Sequence, residues 1–352
     1  MKVLAAMSGG VDSSVAAALM LQQGHDVIGV TLKQWEGPDG QMPTAGCCTV
    51  ADAEDARRVS AQLGIPYYVL DYTEEFRSSV VDRFGADYLA GRTPNPCIEC
   101  NRRVRFNALL DRAGDLDCEA LVTGHHARVV FEDGSYRLKK GLDRAKDQSY
   151  VLHMLGQDEL ARVLLPVGDL IKDDVRAIAS DLGLRTANKP DSQDICFVDG
   201  DYRDFLTTYF PQSAQPGPIV DTDGQVLGRH DGTSGFTIGQ RKGLGIALGE
   251  PRFVVELDPA NATVVIGDRD SLGSTSCQVE EVSWVGGEPT GSFTADVKVR
   301  YRSEGAAARI EKAGEAWIVN FDQPVEAVAP GQAGVFYRDD EVLGGGTIST
   351  AA

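Results

Sequence analysis

Two cysteines separated by two residues offer the clearest chemistry in this sequence of 352 residues. Cys97 and Cys100 follow a proline-rich run, T-P-N-P at 93–96, and the residues after them are typical of a helix. A thiol near the N-terminus of a helix has a lowered pKa, which favours the nucleophilic thiolate. Arg102 and Arg103 follow directly and would add positive charge. This segment therefore predicts a loop with a reactive thiol that leads into a helix.

A further thiol site is Cys196, in the string D-I-C-F at 194–197. Taken alone it is more simply a small core residue, because Ile195 and Phe197 flank it and cysteine is often buried. The chain contains seven cysteines, an odd number, in a long sequence without a recognisable signal peptide. These features argue against a framework of structural disulfides and favour reactive thiols or a metal site.

A loop rich in serine and glycine, Ser8 to Ser14, has the composition of a phosphate-binding site. It lies between an apolar strand and a helix, where an α/β sheet presents backbone N–H groups and the positive end of a helix to an anion. The sequence lacks G-x-x-x-x-G-K-[ST], so this is not a Walker A loop. The simpler alternative is a tight turn with a Ser/Asp helix cap. Asp12 suits a phosphate site only where Mg²⁺ bridges the two.

Strand and helix patterns alternate through about the first 130 residues. Apolar runs at 3–7, 27–32, 67–70 and 120–123 predict strands, and helical spacing predicts helices at 13–23, 50–63 and 102–113. Strands separated by helices indicate an α/β fold with a doubly wound parallel sheet. Two further helices are expected at 173–182 and 201–210.

The pattern changes to a period of two after the breaker-rich stretch at 211–218, as at Ala295, Val297, Val299 and Tyr301. This alternation predicts a C-terminal antiparallel β-barrel. We therefore expect three domains: the parallel-sheet domain at 1–200, a small central mixed domain at 201–273, and the barrel at 274–352.

The composition is that of an ordinary globular protein, with 42% hydrophobic and 24% charged residues. No run of about 18 apolar residues occurs, so we expect no transmembrane helix and a cytoplasmic protein. The net charge of −18 argues against a broad, non-specific nucleic-acid surface. Two local basic clusters remain, and such clusters are often only solvated surface. They are Arg102, Arg103 and Arg105, and Arg137, Lys139, Lys140, Arg144 and Lys146.

Seven strings, in order along the full chain, resemble the tRNA-specific 2-thiouridylases of the MnmA type. The first string also resembles the pyrophosphate (PP) loop of ATP pyrophosphatases, whose domain is adenine nucleotide alpha-hydrolase-like. The strings are M-S-G-G-V-D-S-S-V (7–15), G-C-C-T (46–49), G-R-T-P-N-P-x-x-x-C-N (91–101), K-D-Q-S-Y (146–150), D-S-Q-D-I-C-F (191–197), F-T-I-G-Q-R-K-G-L-G (236–245) and V-R-Y-R (299–302).

The resemblance implies ATP-dependent 2-thiolation of the wobble uridine of tRNA. In that family ATP adenylates the C2 oxygen and pyrophosphate is released, after which sulfur from a cysteine persulfide replaces AMP. Cys100 matches the catalytic nucleophile and Cys196 matches the persulfide carrier, and the two would end as a disulfide. The residues implied to bind ATP, with Mg²⁺, are Ala6, Met7, Ser8, Gly9, Gly10, Val11, Asp12, Ser13, Ser14, Leu32 and Gly124.

The resemblance also implies tRNA contacts from the first domain and from the barrel. The barrel would hold the tRNA stem while the anticodon base is extruded towards the cysteines. The expected partners are the tRNA anticodon stem-loop and a protein that donates persulfide sulfur, without a membrane. The residues implied are His125, Lys146, Asp147, Gln148, Arg300, Tyr301 and Gln332.

Cys97 departs from many family members, which carry Asp at this position. It could be a bystander or substitute polar group, or it could join Cys100 and Cys196 as ligands of a four-iron–four-sulfur cluster. A structural zinc site is the third alternative, although the chain has no second C-x-x-C. We expect Cys47 and Cys48 to be structural, and Cys118 and Cys277 to be small buried residues.

Two other functions compete with tRNA thiolation. One is a different PP-loop ligase that amidates a small metabolite, which would need a glutaminase domain or an ammonia route and no catalytic thiols. The other is an iron–sulfur or thiol redox sensor that binds nucleotide without consuming ATP. The combination of a PP-loop with two separate cysteine loops favours the thiolase.

Overall fold

The structure is a computed structural model that describes residues 1–37, 49–191, 195–246 and 249–352. Its strands are β1 (Lys2–Ala6), β2 (Asp26–Lys33), β3 (Tyr67–Asp71), β4 (Ala120–Val122), β5 (Ala127–Glu132), β6 (Ser135–Lys140), β7 (Val163–Leu164), β8 (Gly217–Asp221), β9 (Val226–His230), β10 (Phe253–Asp258), β11 (Thr263–Gly267), β12 (Gly273–Trp284), β13 (Phe293–Lys298), β14 (Ala306–Ala313), β15 (Ala316–Glu326), β16 (Ala333–Arg338) and β17 (Glu341–Ala351).

The α-helices are α1 (Val11–Gln22), α2 (Val50–Leu63), α3 (Thr73–Phe76), α4 (Asp82–Leu89), α5 (Pro96–Glu99), α6 (Leu109–Asp115), α7 (Gln157–Leu160), α8 (Lys172–Asp181) and α9 (Tyr202–Tyr209). A π-helical segment at Arg77–Val81 joins α3 to α4, and another at Cys100–Ala108 joins α5 to α6. Short 3₁₀ helices lie at Ser149–Leu152, Arg185–Asn188, Pro211–Ser213, Thr233–Gly235 and Asp270–Leu272. None of the helices in the described ranges is long and apolar enough to cross a membrane.

A five-stranded parallel sheet with the order β3-β2-β1-β4-β7 forms the first domain. Val3 and Leu4 of the central strand are fully buried, which explains its uninterrupted apolar sequence. Val3 packs with residues of α1, α2 and α8, whereas Leu4 packs with residues of the two π-containing helices, so helices cover both faces. The predicted doubly wound sheet is confirmed. Its strand order reverses at β1, and open α/β sheets bind ligands at such a point.

The helix that carries the C-x-x-C cysteines begins earlier than predicted. Pro96 occupies its first turn, and Asn95 caps it by accepting a hydrogen bond from the Cys97 N–H at 3.1 Å. Cys100 therefore lies inside the helix, at the start of the π-helical segment. The prediction that both cysteines lie in a loop before the helix is therefore wrong, because Asn95 and Pro96 start the helix ahead of them.

The predicted C-terminal barrel is also confirmed. An antiparallel sheet runs in the order β12-β15-β14-β13-β16-β17-β6-β5, and an additional β12–β17 pairing closes its first six strands. The hairpin of β5 and β6 comes from the first 200 residues, yet it pairs with β17 of the barrel. Neither hairpin strand was predicted from the sequence.

Strand β13 is shorter than its alternating pattern predicted. It ends at Lys298, and Arg300 and Tyr301 follow in a turn in which the Arg300 N–H donates to Ser303 Oγ at 3.2 Å. Between the parallel sheet and the barrel lies a small mixed sheet of order β10-β11-β8-β9, in which β11 and β8 are parallel. Its core contains the fully buried Ile219 and Val264.

Candidate active site

The loop after β1 enters α1 without a side-chain cap. Gly10 is the N-cap residue, and α1 begins at Val11. The serine hydroxyls bond within the loop itself: Ser13 Oγ accepts from the Ser8 N–H at 3.1 Å, and Ser14 Oγ donates to the Gly10 carbonyl at 2.8 Å. The first turn of α1 therefore presents its N–H groups and partial positive charge to a ligand, as in known phosphate sites.

Glycines bring this loop into contact with two neighbouring segments. Gly9 has φ +71°, and a Cβ there would overlap the carbonyl of Asp52 in α2. Gly124 follows β4, and a Cβ there would lie 2.5 Å from Ser13 N. Only glycine permits both approaches, so these two positions fix the loop between α2 and the end of β4.

The other residues predicted to bind ATP lie on the strands beside the loop. Ala6 pairs with Val30 of β2, and the Met7 N–H donates to the Val30 carbonyl at 2.7 Å. Thr31 Oγ1 donates to the Met7 carbonyl at 2.6 Å, and Leu32 follows on β2. The predicted ATP residues therefore meet at the carboxyl ends of β1, β2 and β4.

Asp12, in the first turn of α1, lies at the centre of an ion network that the sequence analysis did not identify. Lys172 Nζ lies 2.7 Å from each Asp12 carboxylate oxygen, and His126 Nε2 lies 3.1 Å from Oδ1. Burial alone would raise the pKa of Asp12, but the hydrogen bonds with His126 and Lys172 bring it below its ordinary value. Asp12 is therefore an ionised oxygen donor of the kind that Mg²⁺ prefers.

Asp191 extends this network towards Cys196, five positions further along the chain. Its Oδ1 lies 2.9 Å from Lys172 Nζ and 3.0 Å from Arg176 Nη2, and its Oδ2 lies 2.7 Å from Lys146 Nζ. Burial opposes ionisation, but Lys146 and Lys172 lower the pKa of Asp191 to about 2. Lys172 thus links a carboxylate of the ATP loop to one that precedes a candidate catalytic cysteine.

Lys189 makes a second link between the same two parts of the chain. Its ammonium donates to the Gly9 carbonyl at 3.0 Å, to Asp52 at 2.7 Å and to Asp55 at 2.8 Å. Isolated lysines carry no local pattern, so sequence reasoning missed Lys172 and Lys189. Asp191 could have been found, because it is the first residue of the string that contains Cys196.

Cys100 and Cys97 occupy different environments although they are one helical turn apart. Cys100 is buried, and its Sγ accepts a hydrogen bond from Gln34 Nε2 at 3.2 Å. Gln34 is itself 1% exposed and directly follows β2. Cys97 is exposed at the surface. The C-x-x-C spacing therefore presents one thiol to solvent and holds the other beside the parallel sheet.

Cys196 is half-buried and packs against the same hydrophobic core that contains Cys100. The neighbouring Phe197 anchors it, with its ring centroid 5.2 Å from that of Phe84 and 5.6 Å from that of Phe76. Both candidate catalytic thiols thus contribute to one large hydrophobic core, which also contains residues of the barrel. Residues 192–194 of the D-S-Q-D-I-C-F string, and Cys47 and Cys48, lie outside the described residues.

Within the described ranges, no group of three His, Cys, Asp or Glu side chains is arranged to hold a metal ion. Cys97, Cys100 and Cys196 are therefore not gathered as a cluster ligand set in this structure. Cys118 and Cys277 are buried, as predicted. Burial raises the pKa of both thiols, that of Cys277 to about 12, so neither is suited to act as a thiolate.

The first three residues of the string K-D-Q-S-Y, predicted to contact tRNA, make contacts within the protein. Asp147 Oδ1 accepts from the backbone N–H groups of Gly141 and Ser149, at 3.0 and 3.1 Å. Gln148 Oε1 accepts from the His126 N–H at 2.9 Å, and Lys146 binds Asp191 as described above. These side chains order the segment beside the ATP loop, and their contact with RNA stays a prediction.

His125 was also predicted to contact tRNA, but it is 6% exposed. Its Nδ1 lies 2.8 Å from Thr123 Oγ1, and its Nε2 lies 3.5 Å from Arg105 Nη1. Burial, with the nearby Arg105 charge, lowers the pKa of His125 to about 3, so the imidazole is neutral at pH 7. In this structure His125 supports the end of β4 from inside the protein.

The barrel residues predicted to contact tRNA lie where the domains meet. Arg300 donates to the carbonyl groups of Ile238, at 2.7 Å, and Ala327, at 3.1 Å. Tyr301 is half-buried, and burial, with Asp147 and Cys97 close by, raises its pKa. Gln332 Nε2 donates to a backbone carbonyl of the first domain, which is described below.

Acidic partners offset most of the two basic clusters. Arg137 lies 2.7 Å from Glu341, Lys139 lies 3.0 Å from Glu132, and Lys146 binds Asp191. Glu99 lies 3.5 Å from Arg102 and 3.8 Å from Arg103. The positive surface available to RNA is therefore smaller than the count of basic residues suggests.

Family models match three consecutive parts of the chain. A model described as the HUP domain of tRNA methyl transferase matches residues 1–200, and one described as a tRNA methyl transferase PRC-barrel domain matches 203–268. A third, described as an aminomethyltransferase beta-barrel domain, matches 274–348.

Curated relatives match almost the entire chain. A tRNA-specific 2-thiouridylase MnmA of Chloroflexus aurantiacus is 50% identical over 351 residues, which cover 99% of this chain and 98% of the relative. Proteins of the same name are 48% identical in Roseiflexus sp. (strain RS-1), with 99% of each chain covered, and 49% identical in Carboxydothermus hydrogenoformans, with 99% and 97% covered. On this identity and coverage, the chain belongs to the tRNA-specific 2-thiouridylase MnmA family.

Proposed function

We propose that this protein transfers sulfur to C2 of the wobble uridine of tRNA and consumes ATP, which gives 2-thiouridine, AMP and pyrophosphate. The observation that carries the proposal is that Cys100 and Cys196 pack against one core in a domain with a phosphate-type loop. Relatives close to 50% identical along nearly the whole chain are named tRNA-specific 2-thiouridylases. Two thiols and such a loop in the first 200 residues favour sulfur transfer over the methyl transfer that the family-model descriptions mention.

The first step activates the uridine. ATP binds at Ser8–Ser14 with its phosphates towards the N-terminus of α1. The C2 oxygen attacks the α-phosphorus, the α–β phosphoanhydride bond breaks, and pyrophosphate leaves. An amide-like oxygen is a poor leaving group, whereas the adenylated oxygen departs readily as part of AMP.

The residues at this site fit a magnesium ion. Asp12 is an ionised oxygen donor beside the phosphate-type loop, so it would hold Mg²⁺ there. Bound at this position, Mg²⁺ would offset negative charge on the phosphate oxygens. Lys172, already beside Asp12, supplies a second positive charge close to the phosphates.

The second step transfers sulfur. Cys196 carries the sulfur as a persulfide, which a donor protein supplies. The terminal sulfur attacks C2, and the C2–O bond breaks as AMP leaves. The Cys100 thiolate then attacks Cys196 Sγ, and the persulfide S–S bond breaks with its electron pair on the sulfur attached to C2. The products are 2-thiouridine and a Cys100–Cys196 disulfide, and a two-electron reductant restores both thiols.

An iron–sulfur cluster does not fit the donor set that the described residues present. We therefore propose that Cys97 is dispensable for sulfur transfer and that the two catalytic thiols act directly. A Cys97→Ser variant should keep its activity, both in air and under anaerobic conditions.

Nucleoside mass spectrometry tests the proposal. Unmodified tRNA is incubated with the protein, Mg²⁺ and a persulfide source, with and without ATP. We expect 2-thiouridine at the wobble position only when ATP is present, and none with Cys100→Ser or Cys196→Ser. Cys118→Ser, which removes a buried thiol outside the site, is the matched control and should be active.

Two results would contradict the proposal. One is the absence of 2-thiouridine with folded protein and a sulfur source shown to be competent on another acceptor. The other is full activity in either catalytic cysteine variant. ATP consumption that depends on a small amine acceptor and not on tRNA would favour the metabolite ligase instead.

A further inference from the structure

Thr93 precedes the helix that carries Cys100, here called the nucleophile helix, and both of the other domains bind to it. Its N–H donates to the Pro330 carbonyl at 2.8 Å, and its carbonyl accepts from Gln332 Nε2 at 2.7 Å. Its hydroxyl lies 3.3 Å from Thr237 Oγ1 in the central part of the chain. Thr93 therefore makes hydrogen bonds to the barrel and to the central sheet region.

Gly331 shows how closely the barrel turn approaches this segment. It has φ +90°, and a Cβ on it would lie 2.7 Å from Thr93 N and 2.9 Å from Arg92 Cβ. The turn is itself anchored to the barrel, because the Gly331 N–H donates to the Ile348 carbonyl at 2.8 Å. Backbone meets backbone here, so a small shift of the turn would move residue 93 directly.

The barrel and the central region, which both bind Thr93, are also connected to each other. Arg300 of the barrel donates to the Ile238 carbonyl, next to Thr237, and to the Ala327 carbonyl at the start of the turn. Burial lowers the pKa of Arg300, and the two carbonyl groups provide hydrogen-bond partners for its buried guanidinium. The two regions that make hydrogen bonds to Thr93 are therefore bonded to each other as well.

The chain between Thr93 and the cysteines is short and stiff. Pro94 and Pro96 fix two φ angles, and Asn95 caps the helix through the Cys97 N–H. Cys100 lies in the next turn of that helix. A displacement at Thr93 is thus passed to the nucleophile with little opportunity for the intervening residues to absorb it.

We infer that Gln332 and Gly331 are positioning residues, which hold the nucleophile helix in place from the barrel through Thr93. The inference rests on the proposed function, in which Cys100 is the nucleophile. The family resemblance placed Gln332 in contact with tRNA, whereas here one N–H of its amide already donates to Thr93. Through this link, the barrel that is proposed to hold tRNA also determines where the sulfur chemistry occurs.

The test compares Gln332→Ala and Gly331→Ala with matched controls. Gln278→Ala removes a barrel glutamine that donates to Glu280 at 2.8 Å. Gly287→Ala adds a Cβ at φ +99° with no atom within 4 Å, so it reproduces the backbone strain without the contact. Gln332→Glu keeps the side-chain length but cannot donate when ionised, and it serves if the alanine variant does not fold.

Two readouts separate positioning from binding. The first is the rate at which iodoacetamide modifies Cys100, located by fragmentation of the peptide that spans residues 93–102, with Cys118 followed as an internal reference. We expect modification of Cys100 to become about tenfold faster in the Gln332 and Gly331 variants, because the helix loses its anchor. Modification of Cys118 should not change.

The second readout is the steady-state kinetics of tRNA thiolation. We expect kcat to fall about tenfold in the same variants while KM for tRNA changes less than about twofold, since only the nucleophile is displaced. A raised KM with unchanged kcat and unchanged Cys100 modification would overturn the inference and assign Gln332 to tRNA contact alone. Because the modification assay needs neither ATP nor RNA, it would still decide the positioning role if thiolation itself were not observed.

Discussion

Lys172 joins the ATP loop to the segment before Cys196 through one ammonium group. Its side chain is 9% exposed and lies within 3 Å of both Asp12 and Asp191. Burial opposes ionisation of both acids, but hydrogen bonds with one further side chain beside each acid and with Lys172 lower both pKa values. These charged side chains beside the phosphate site are thus held in place by their contacts with one another.

The stability provided by Asp191 should depend on pH. Its pKa is about 2 in the folded protein, below the ordinary value of 3.8, so it stabilises the fold above about pH 4. This contribution is lost as the pH falls through the interval from 3.8 to about 2. We expect Asp191→Asn to lower the free energy of unfolding by about 2 kcal/mol at pH 6 and by about half as much at pH 3.

Urea unfolding of both proteins at pH 6 and pH 3 measures this difference. Asp181→Asn, an exposed change at the end of the same helix as Lys172, is the control and should have little effect at either pH. An Asp191→Asn effect that is equal at the two pH values would show that its carboxylate charge is not what stabilises the fold.

At the scale of elements, backbone contact positions the ATP loop more than side-chain packing does. The loop lies between α2 and the end of β4, and glycines occupy both contact points, Gly9 and Gly124. The same geometry keeps the N-terminus of α1 open, since its N-cap residue, Gly10, has no side chain to cap it. We therefore expect a side chain added at either glycine to weaken nucleotide binding.

Gly124→Ala should weaken ATP binding by about tenfold or more, because its Cβ would lie 2.5 Å from Ser13 N and displace the loop from the helix axis. Isothermal titration calorimetry with ATP and Mg²⁺ measures the change. Gly286→Ala is the control, since no atom lies within 4 Å of its added Cβ. Equal ATP affinity in the wild type and Gly124→Ala would show that the nucleotide does not depend on this contact.

At the scale of the whole molecule, local patterns predicted the parallel sheet and the barrel but not the contacts between them. Strands such as β1 could be predicted because both faces are buried and the apolar run is continuous. The partner of β6 could not, because β17 lies about 200 positions further along the chain. Lys172, and the contact of Gln332 with Thr93, were missed in the same way, because folding alone brings these partners together.

One hydrophobic core contains residues from both sides of the domain boundaries predicted after residues 200 and 273. The boundaries themselves stay predictions. Val335, Tyr337 and Val342 of the barrel share a core cluster with Leu138 and Tyr150 of the first 200 residues. The Tyr150 hydroxyl donates to the Ala333 carbonyl at 2.8 Å. The barrel therefore completes the core of the first domain as well as its own.

A chain that ends at residue 273 should accordingly aggregate or melt at a lower temperature, because it would expose Leu138, Tyr150 and the edge of β6. Size-exclusion chromatography and thermal denaturation measure this, and the full chain should unfold in one main transition. A monomeric truncated chain with the melting temperature of the full chain would show that the shared core is not needed for stability.

The most direct test of the proposed chemistry is a single turnover with protein that carries a persulfide. The protein is loaded with ³⁴S at Cys196, freed of excess donor, and mixed with tRNA, ATP and Mg²⁺ without reductant. The account predicts up to one equivalent of ³⁴S-labelled 2-thiouridine, together with a matching amount of Cys100–Cys196 disulfide and of AMP. Labelled 2-thiouridine formed without AMP, or formed equally well by Cys100→Ser protein with no disulfide, would contradict it.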